Sequence, residues 1–184
     1  SVAMAIGADD TIYLAYYDRA NGALRAALVT DALTTHSEIA GASNGFVVGP
    51  HVALAFDGGR MAIAFHVESF TVGETIQQRD TLYLAEIPSL PAAASADWTQ
   101  GFTLRPVLPG QIGVGRFCSA VYDEAGNLHL AFYVDSKLAP GYVRVDSGGG
   151  VSGLEIIEDS LFITSGQETS IAIQPQTGIP AVAY

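Results

Sequence analysis

The segment ESFTVGETIQQRD, at positions 68–80, holds the densest group of side chains that could contact a ligand. Its carboxylates, amides and guanidinium can donate and accept the hydrogen bonds that a carbohydrate or peptide requires. The segment joins two predicted strands by a long connection, and long connections in compact domains are more often functional than accidental. The alternative is a tolerated surface insertion. The predicted ligand-binding residues are Glu68, Glu74, Gln77, Gln78, Arg79 and Asp80.

The other potentially reactive residues give no catalytic pattern. Cys118 is the only cysteine and lies in an alternating apolar run, which predicts a buried, inert thiol. His129 takes the strand position that Tyr13 has in an earlier repeat, so we expect a structural role. No cysteine–histidine spacing is typical of zinc. We therefore assign no catalytic residue, no metal and no cofactor.

Acidic residues at predicted turns are the remaining candidates for cation binding. Carboxylates can coordinate calcium together with backbone carbonyls. Aspartate also suits turns for conformational reasons, and this is the role that we expect. The residues concerned are Asp9, Asp10, Asp18, Asp57, Asp123, Glu124 and Asp135.

The composition excludes several classes of function. The net charge is −11 and Lys137 is the only lysine, so no basic face is present for nucleic acid. No apolar run approaches the roughly 18 residues that would span a membrane. Hydrophobic residues make up 49% of the chain, which argues against intrinsic disorder. The acidity is accounted for by solubility or by attraction of cations and basic partners.

Four segments of the chain share one layout, and they begin at Ser1, His51, Cys118 and Ser170. Each has an alternating run, a turn and a second run that reaches an alanine followed by an aromatic residue. Successive alanines of this kind are 49, 67 and 52 residues apart. The pairs are Ala15-Tyr16, Ala64-Phe65, Ala131-Phe132 and Ala183-Tyr184. We expect the four alanines, together with Tyr16, Phe65 and Phe132, to be buried between packed sheets.

Between these segments the chain has room for two further strands, and Trp98 is expected to begin an outer one. Four short strands in about 50 residues are typical of a β-propeller blade. The period of two within each run excludes a helical solenoid. We predict an all-β propeller of about three and a half four-stranded blades, at 1–50, 51–117, 118–169 and 170–184. Because closure removes sheet edges, we expect the remaining blades in the same chain or in another chain.

The third segment, GVGRFCSAVYDEAGNLHLAFYVD, resembles the repeats of secreted bacterial β-propellers, which implies a secreted or cell-surface protein. The matching positions are Asp123, Gly126, His129, Ala131 and Phe132, with Ala15, Tyr16, Tyr17 and Asp18 in the first segment. The chain lacks the S-x-D-x-G-x-T-W box of sialidases, the GH…WD pattern of WD40 blades and an integrin-type calcium loop.

Three functions are compatible with this sequence. The first is a non-enzymatic extracellular propeller that binds a glycan or a protein partner through its loop faces. The second is a glycosidase or polysaccharide lyase with a site at the channel mouth, for which Asp57, Glu68 and Glu74 would be the first carboxylates to test. The third is a structural subunit of a surface assembly. Such propeller repeats serve many functions, so the repeat pattern does not separate the three.

Overall fold

A computed structural model describes residues 1–7, 10–30, 34–90, 101–158, 165 and 167–184. The described strands form three four-stranded antiparallel sheets and one two-stranded sheet. A short 3₁₀ turn, Ala42–Asn44, connects the first two sheets. The predicted fold class is confirmed: the chain is an all-β, partial β-propeller with three complete blades and two strands of another. Trp98 and Asp9 lie outside the described residues.

Each sheet is built from strands that follow one another in the chain. The first contains β1 (Val2–Ile6), β2 (Ile12–Asp18), β3 (Ala23–Val29) and β4 (Thr34–Ala40). The second contains β5 (Phe46–Asp57), β6 (Arg60–Val72), β7 (Thr75–Ile87) and β8 (Thr103–Pro106). The third contains β9 (Val114–Tyr122), β10 (Leu128–Val134), β11 (Ala139–Val145) and β12 (Glu155–Ile156), and the fourth contains β13 (Ser170–Ile173) and β14 (Pro180–Ala183).

The repeated alanines lie in the first two strands of their sheets. Ala15, Ala64 and Ala131 have no exposed surface, and neither do Phe65 and Phe132. Small residues at these positions let neighbouring sheets approach, while the phenylalanines fill the wider space between them. The repeat pattern therefore identifies these five core residues correctly.

Two of the predicted core positions are wrong. Ala183 is exposed, because β14 is followed by no further described strand of its sheet. The pairing of Ala172 with Ala181 also shows that Ala181, and not Ala183, corresponds to Ala15, which pairs with Ala3. Tyr16 is only half-buried.

Two hydrophobic clusters hold the first three sheets together. The first cluster includes Tyr13 and Leu24 of the first sheet and Phe65 of the second. The second cluster includes Leu84 of the second sheet and Phe132 of the third. The sheets thus pack face to face, and at each junction the side chains of two neighbouring blades form a shared core.

The backbones of the second and third sheets come close together at Gly115. A Cβ atom on Gly115 would lie 2.9 Å from Cα of Leu82, and the glycine has φ of +104°. Both observations require glycine, since this backbone conformation and this contact exclude a side chain. The close approach fixes the position of β9 beside β7.

The segment from Glu68 to Asp80 is a hairpin, and the prediction of a loop there is wrong. Strands β6 and β7 continue to Val72 and Thr75, and Gly73 lies in the turn. Polar side chains along the segment therefore lie on two paired strands.

Candidate functional site

A cleft of about 590 Å³ lies where the second and third sheets meet, on the face that carries the β4–β5 connection. We call it the upper-face cleft. Its walls come from β5, β6 and β7 on one side and from β9 and β10 on the other. An adjoining depression of about 340 Å³ extends it towards Ser1, Cys118, Glu168 and Thr169. The lining residues of the main part are Pro50, His51, His66, Glu68, Asp80, Arg116, Phe117, Tyr133 and Gln167.

A chain of charged and polar groups crosses this cleft from one sheet to the next. Nε2 of His66 lies 2.6 Å from Oδ1 of Asp80, and Nη2 of Arg116 lies 3.2 Å from the same oxygen. Nη1 of Arg116 lies 3.3 Å from Oδ2 of Asp135. Arg116 therefore joins a carboxylate of the second sheet to a carboxylate of the third. Such a doubly paired guanidinium has little positive charge left for a ligand.

Both histidines of the cleft are neutral near pH 7. Burial lowers the pKa of His66, although its bond to Asp80 acts in the opposite direction. Burial, together with the neighbouring His66 and Arg116, lowers the pKa of His51 to about 4. Since His66 donates from Nε2 to Asp80, its Nδ1 is left as an acceptor. This buried nitrogen has no partner in the described part of the chain and lies against Gly49.

Aromatic rings form the opposite wall of the cleft. The centroid of the half-buried Phe117 ring lies 4.3 Å from that of His51 and 6.1 Å from that of Tyr133, with the tyrosine edge-on. A partly exposed ring held by two others is a rigid apolar surface beside hydrogen-bonding groups. This combination suits a ligand with one apolar face and a polar rim.

The backbone of the cleft contains unusual conformations. Five non-glycine residues in the described part of the chain have positive φ, and three of them line the cleft or its extension. These are Asp80 (φ 46°), Phe117 (φ 50°) and Glu168 (φ 69°). Aspartate tolerates this region, whereas a phenylalanine there is strained. Strained residues of this kind cluster at functional sites.

The structure divides the predicted ligand-binding residues into two groups. Glu68 and Asp80 line the upper-face cleft. Glu74, Gln77, Gln78 and Arg79 lie on the hairpin beyond it and do not line it. Whether any of the six binds a ligand stays a prediction. Asp57 lies at the β5–β6 turn, at the other end of the sheet from Glu74, and is paired with Arg60.

Seven of the nine lining residues were not identified from the sequence, among them His51, His66, Arg116, Phe117 and Tyr133. These five come from four strands and are not spaced as a motif. The one signal was a general rule. Binding sites of propellers gather on the face where the fourth strand of one blade connects to the first strand of the next.

Other reactive groups lie apart from the network of His66, Asp80, Arg116 and Asp135. Burial raises the pKa of Cys118 to about 12, and its Sγ lies 3.5 Å from the carbonyl oxygen of Ala64. The raised pKa favours the neutral, inert thiol that was predicted, although Cys118 is half-buried and not buried as expected. A second cleft of about 310 Å³ lies on the lower face, where the guanidinium of Arg60 stacks 4.9 Å from the ring of Tyr122.

Two kinds of feature are missing from the described residues. No three histidine, cysteine or acidic side chains are close enough together to hold a metal ion. No helix in the same ranges has the length and apolar composition needed to cross a membrane.

Comparison with known proteins gives matches at the level of structure only. No family model and no curated protein matches the sequence. Streptococcus pneumoniae NanB sialidase (K499G mutant) matches 94% of this chain with a TM-score of 0.58 and 13% identity. Trypanosoma rangeli sialidase, in complex with the inhibitor DANA, matches 95% with a TM-score of 0.54 and 10% identity. The similarity is one of fold alone. The chain spans 25% and 32% of these two sialidase chains.

Proposed function

We propose that this chain is a non-enzymatic carbohydrate-binding propeller, secreted or at the cell surface, whose ligand site is the upper-face cleft. The observation that carries the proposal is the strained, half-buried Phe117 ring, which lies between His51 and Tyr133 and lines the same cleft as Asp80. Sugar rings have an apolar face of C–H groups and a rim of hydroxyls. An aromatic surface next to fixed acceptors matches both.

The polar groups of the cleft are arranged to orient hydroxyl groups. Oδ1 of Asp80 is held by His66 and Arg116, and its Oδ2 takes part in neither bond. A carboxylate fixed in this way can accept hydrogen bonds from a ligand without rearrangement. Preorganised groups reduce the entropic cost of binding.

Binding is favoured over hydrolysis by the pairing of the carboxyl groups. Glycoside hydrolysis ordinarily needs one carboxylic acid that gives up a proton and a second carboxylate across the scissile bond. Asp80 and Asp135 both pair with Arg116, and a carboxylate paired with arginine is a poor proton donor. The enzymatic alternative would rest on Glu68 as the acid, with Asp80 as its partner.

A glycan array followed by calorimetry on the retained glycans tests the proposal. We expect binding that Phe117→Ala weakens by about tenfold or more, because stacking and preorganisation are lost together. Phe117→Tyr keeps the ring and is the control. Retention of no glycan would contradict the proposal and favour a protein partner, and so would equal binding by Phe117→Ala. Release of reducing sugar that Glu68→Gln abolishes would support the enzyme instead.

We also propose that the outer faces of β1 and of the fourth sheet are covered in the native protein by further propeller blades, from this chain or another. Val2, Met4 and Ile6 of β1 are 59–66% exposed on one face, and Ile179 beside β14 is 57% exposed. Rows of exposed apolar side chains on strands are sites of association. The third possible function, a structural subunit, would use these same faces.

A further inference from the structure

We infer that the upper-face cleft selects a ligand with a positively charged amino group, of the chemical class of unacetylated amino sugars. This inference rests on the proposed carbohydrate-binding function and names the substrate class of the same site. It is argued from the charges of the cleft, from the pairing of its arginine and from its unpaired acceptors.

Negative charge dominates the cleft and its extension. Glu68, Asp80 and Glu168 line them, and Asp135 lies behind Arg116. Arg116 is the positively charged side chain among the described lining residues. Four carboxylates thus face one guanidinium, within a chain of net charge −11. A cleft of one sign attracts ligands of the other sign.

Arg116 is not available for an acidic sugar. Its two terminal nitrogens face Asp80 and Asp135, at 3.2 Å and 3.3 Å. A ligand carboxylate would have to displace one of these partners and leave its charge unpaired. The two carboxylates also repel a ligand carboxylate. His51 and His66 add no positive charge near neutral pH, since burial lowers both pKa values.

The cleft also has a surplus of acceptor oxygens. Oδ2 of Asp80 takes part in neither of the bonds that this carboxylate makes to His66 and Arg116. Glu68 makes no ion pair with any described residue and contributes to the electrostatic environment of His66. An ammonium group offers three donors and no acceptor. It therefore complements this surplus better than a hydroxyl or an acetamide.

Calorimetry with three probes of equal length tests the inference near neutral pH. The probes are a glucosamine tetramer, an N-acetylglucosamine tetramer and a galacturonic acid tetramer. We expect the glucosamine tetramer to bind about tenfold more tightly than its acetylated form, and the acidic tetramer not to bind. The preference should weaken when salt rises from about 50 mM to about 500 mM, because screening acts on the charge and not on stacking.

Two glutamates of the same hairpin provide matched variants. Glu68→Gln should reduce the preference for the glucosamine tetramer several-fold, whereas Glu74→Gln should leave it unchanged, since Glu74 is exposed and outside the cleft. Equal or tighter binding of the acetylated or acidic tetramer would overturn the inference and leave the proposed function intact. Equal effects of the two glutamine variants would overturn it as well. Failure of every glycan on the array would contradict the proposed function itself.

Discussion

Phe117 carries a local conflict between its backbone and its side chain. Its φ of 50° is unfavourable for phenylalanine and acceptable for asparagine. We therefore expect the free energy of unfolding of the Phe117→Asn variant to equal or exceed that of the Phe117→Leu variant, although leucine is the more apolar residue. Urea denaturation of both variants measures this. A leucine variant more stable than the asparagine variant by about 1 kcal/mol or more would show that burial of an apolar side chain outweighs the backbone conformation.

His51 makes the stability of the chain depend on pH. Its pKa falls from 6.5 to about 4 on folding, so the unfolded chain takes up a proton at a higher pH than the folded one. The stability associated with neutral His51 is present above pH 6.5 and is lost as the pH falls towards about 4. We expect the melting temperature of the His51→Gln variant to decrease less than that of the original chain as the pH falls over this interval. His66 acts in the same direction and keeps part of the dependence.

The matched control for this measurement is His36→Gln, because His36 is exposed on the outer strand β4. Its melting curve should follow that of the original chain at every pH. Equal pH profiles for the His51 and His36 variants would contradict the account.

At the level of single residues, the sequence predicted part of the site for a physical reason. Glu68 and Asp80 stand out because polar residues concentrate in one long connection. His66 and Arg116 do not, because their meeting at Asp80 depends on the register of β6 with β7 and on the packing of β9 against β7. Neither the contact of His66 with Asp80 nor that of Arg116 with Asp80 can be read from the spacing of residues along the chain.

At the level of elements, the β9–β10 hairpin is closed by a buried polar network. Asp123 accepts bonds of 2.8 Å from the backbone and side chain of Asn127 and one of 3.0 Å from Nε2 of His129. Nδ1 of His129 lies 2.7 Å from the hydroxyl of Tyr142 on β11. The expected structural role of His129 agrees with these contacts.

Removal of this network should destabilise the third blade. Asp123→Ala leaves buried donors unpaired and should cost about 1–3 kcal/mol in urea denaturation. Glu124→Ala changes the exposed neighbour and should cost less than about 0.5 kcal/mol. Burial tends to raise the pKa of Asp123, but bonds from Asn127 and His129 lower it from 3.8 to about 2, so the difference should be complete above pH 3.8 and be lost as the pH falls towards about 2. Equal stability of the two variants at neutral pH would show that water replaces the network.

The elements themselves were predicted well where the pattern is periodic. Alternation of apolar residues and the repeated alanines identified the strands and the four-stranded units, since period and spacing reflect the pleat directly. The extension of β6 and β7 through residues 68–80 was missed because polar, exposed strands lack that alternation.

On the scale of the whole molecule, β1 presents an uncovered apolar row. Val2, Met4 and Ile6 are 66%, 61% and 59% exposed. We expect the 184-residue chain to self-associate in light scattering, and Met4→Lys with Ile6→Lys to reduce that association. Val72→Lys, at the isolated hairpin tip, removes an equally exposed side chain and should change little. A monomer with a sharp melting transition before any substitution would contradict this expectation.

The backbone at Gly113 links the second and third blades directly. Its N–H donates to the carbonyl of Asp80 at 2.6 Å, and its own carbonyl accepts from the N–H of Asp135 at 2.8 Å. The N–H of Gly113 can exchange its proton with solvent only when the junction opens, so its deuterium exchange rate measures the frequency of that opening. A ligand bridging both walls of the cleft would slow the exchange at Gly113 while leaving the amides of the distant β3–β4 pair unchanged.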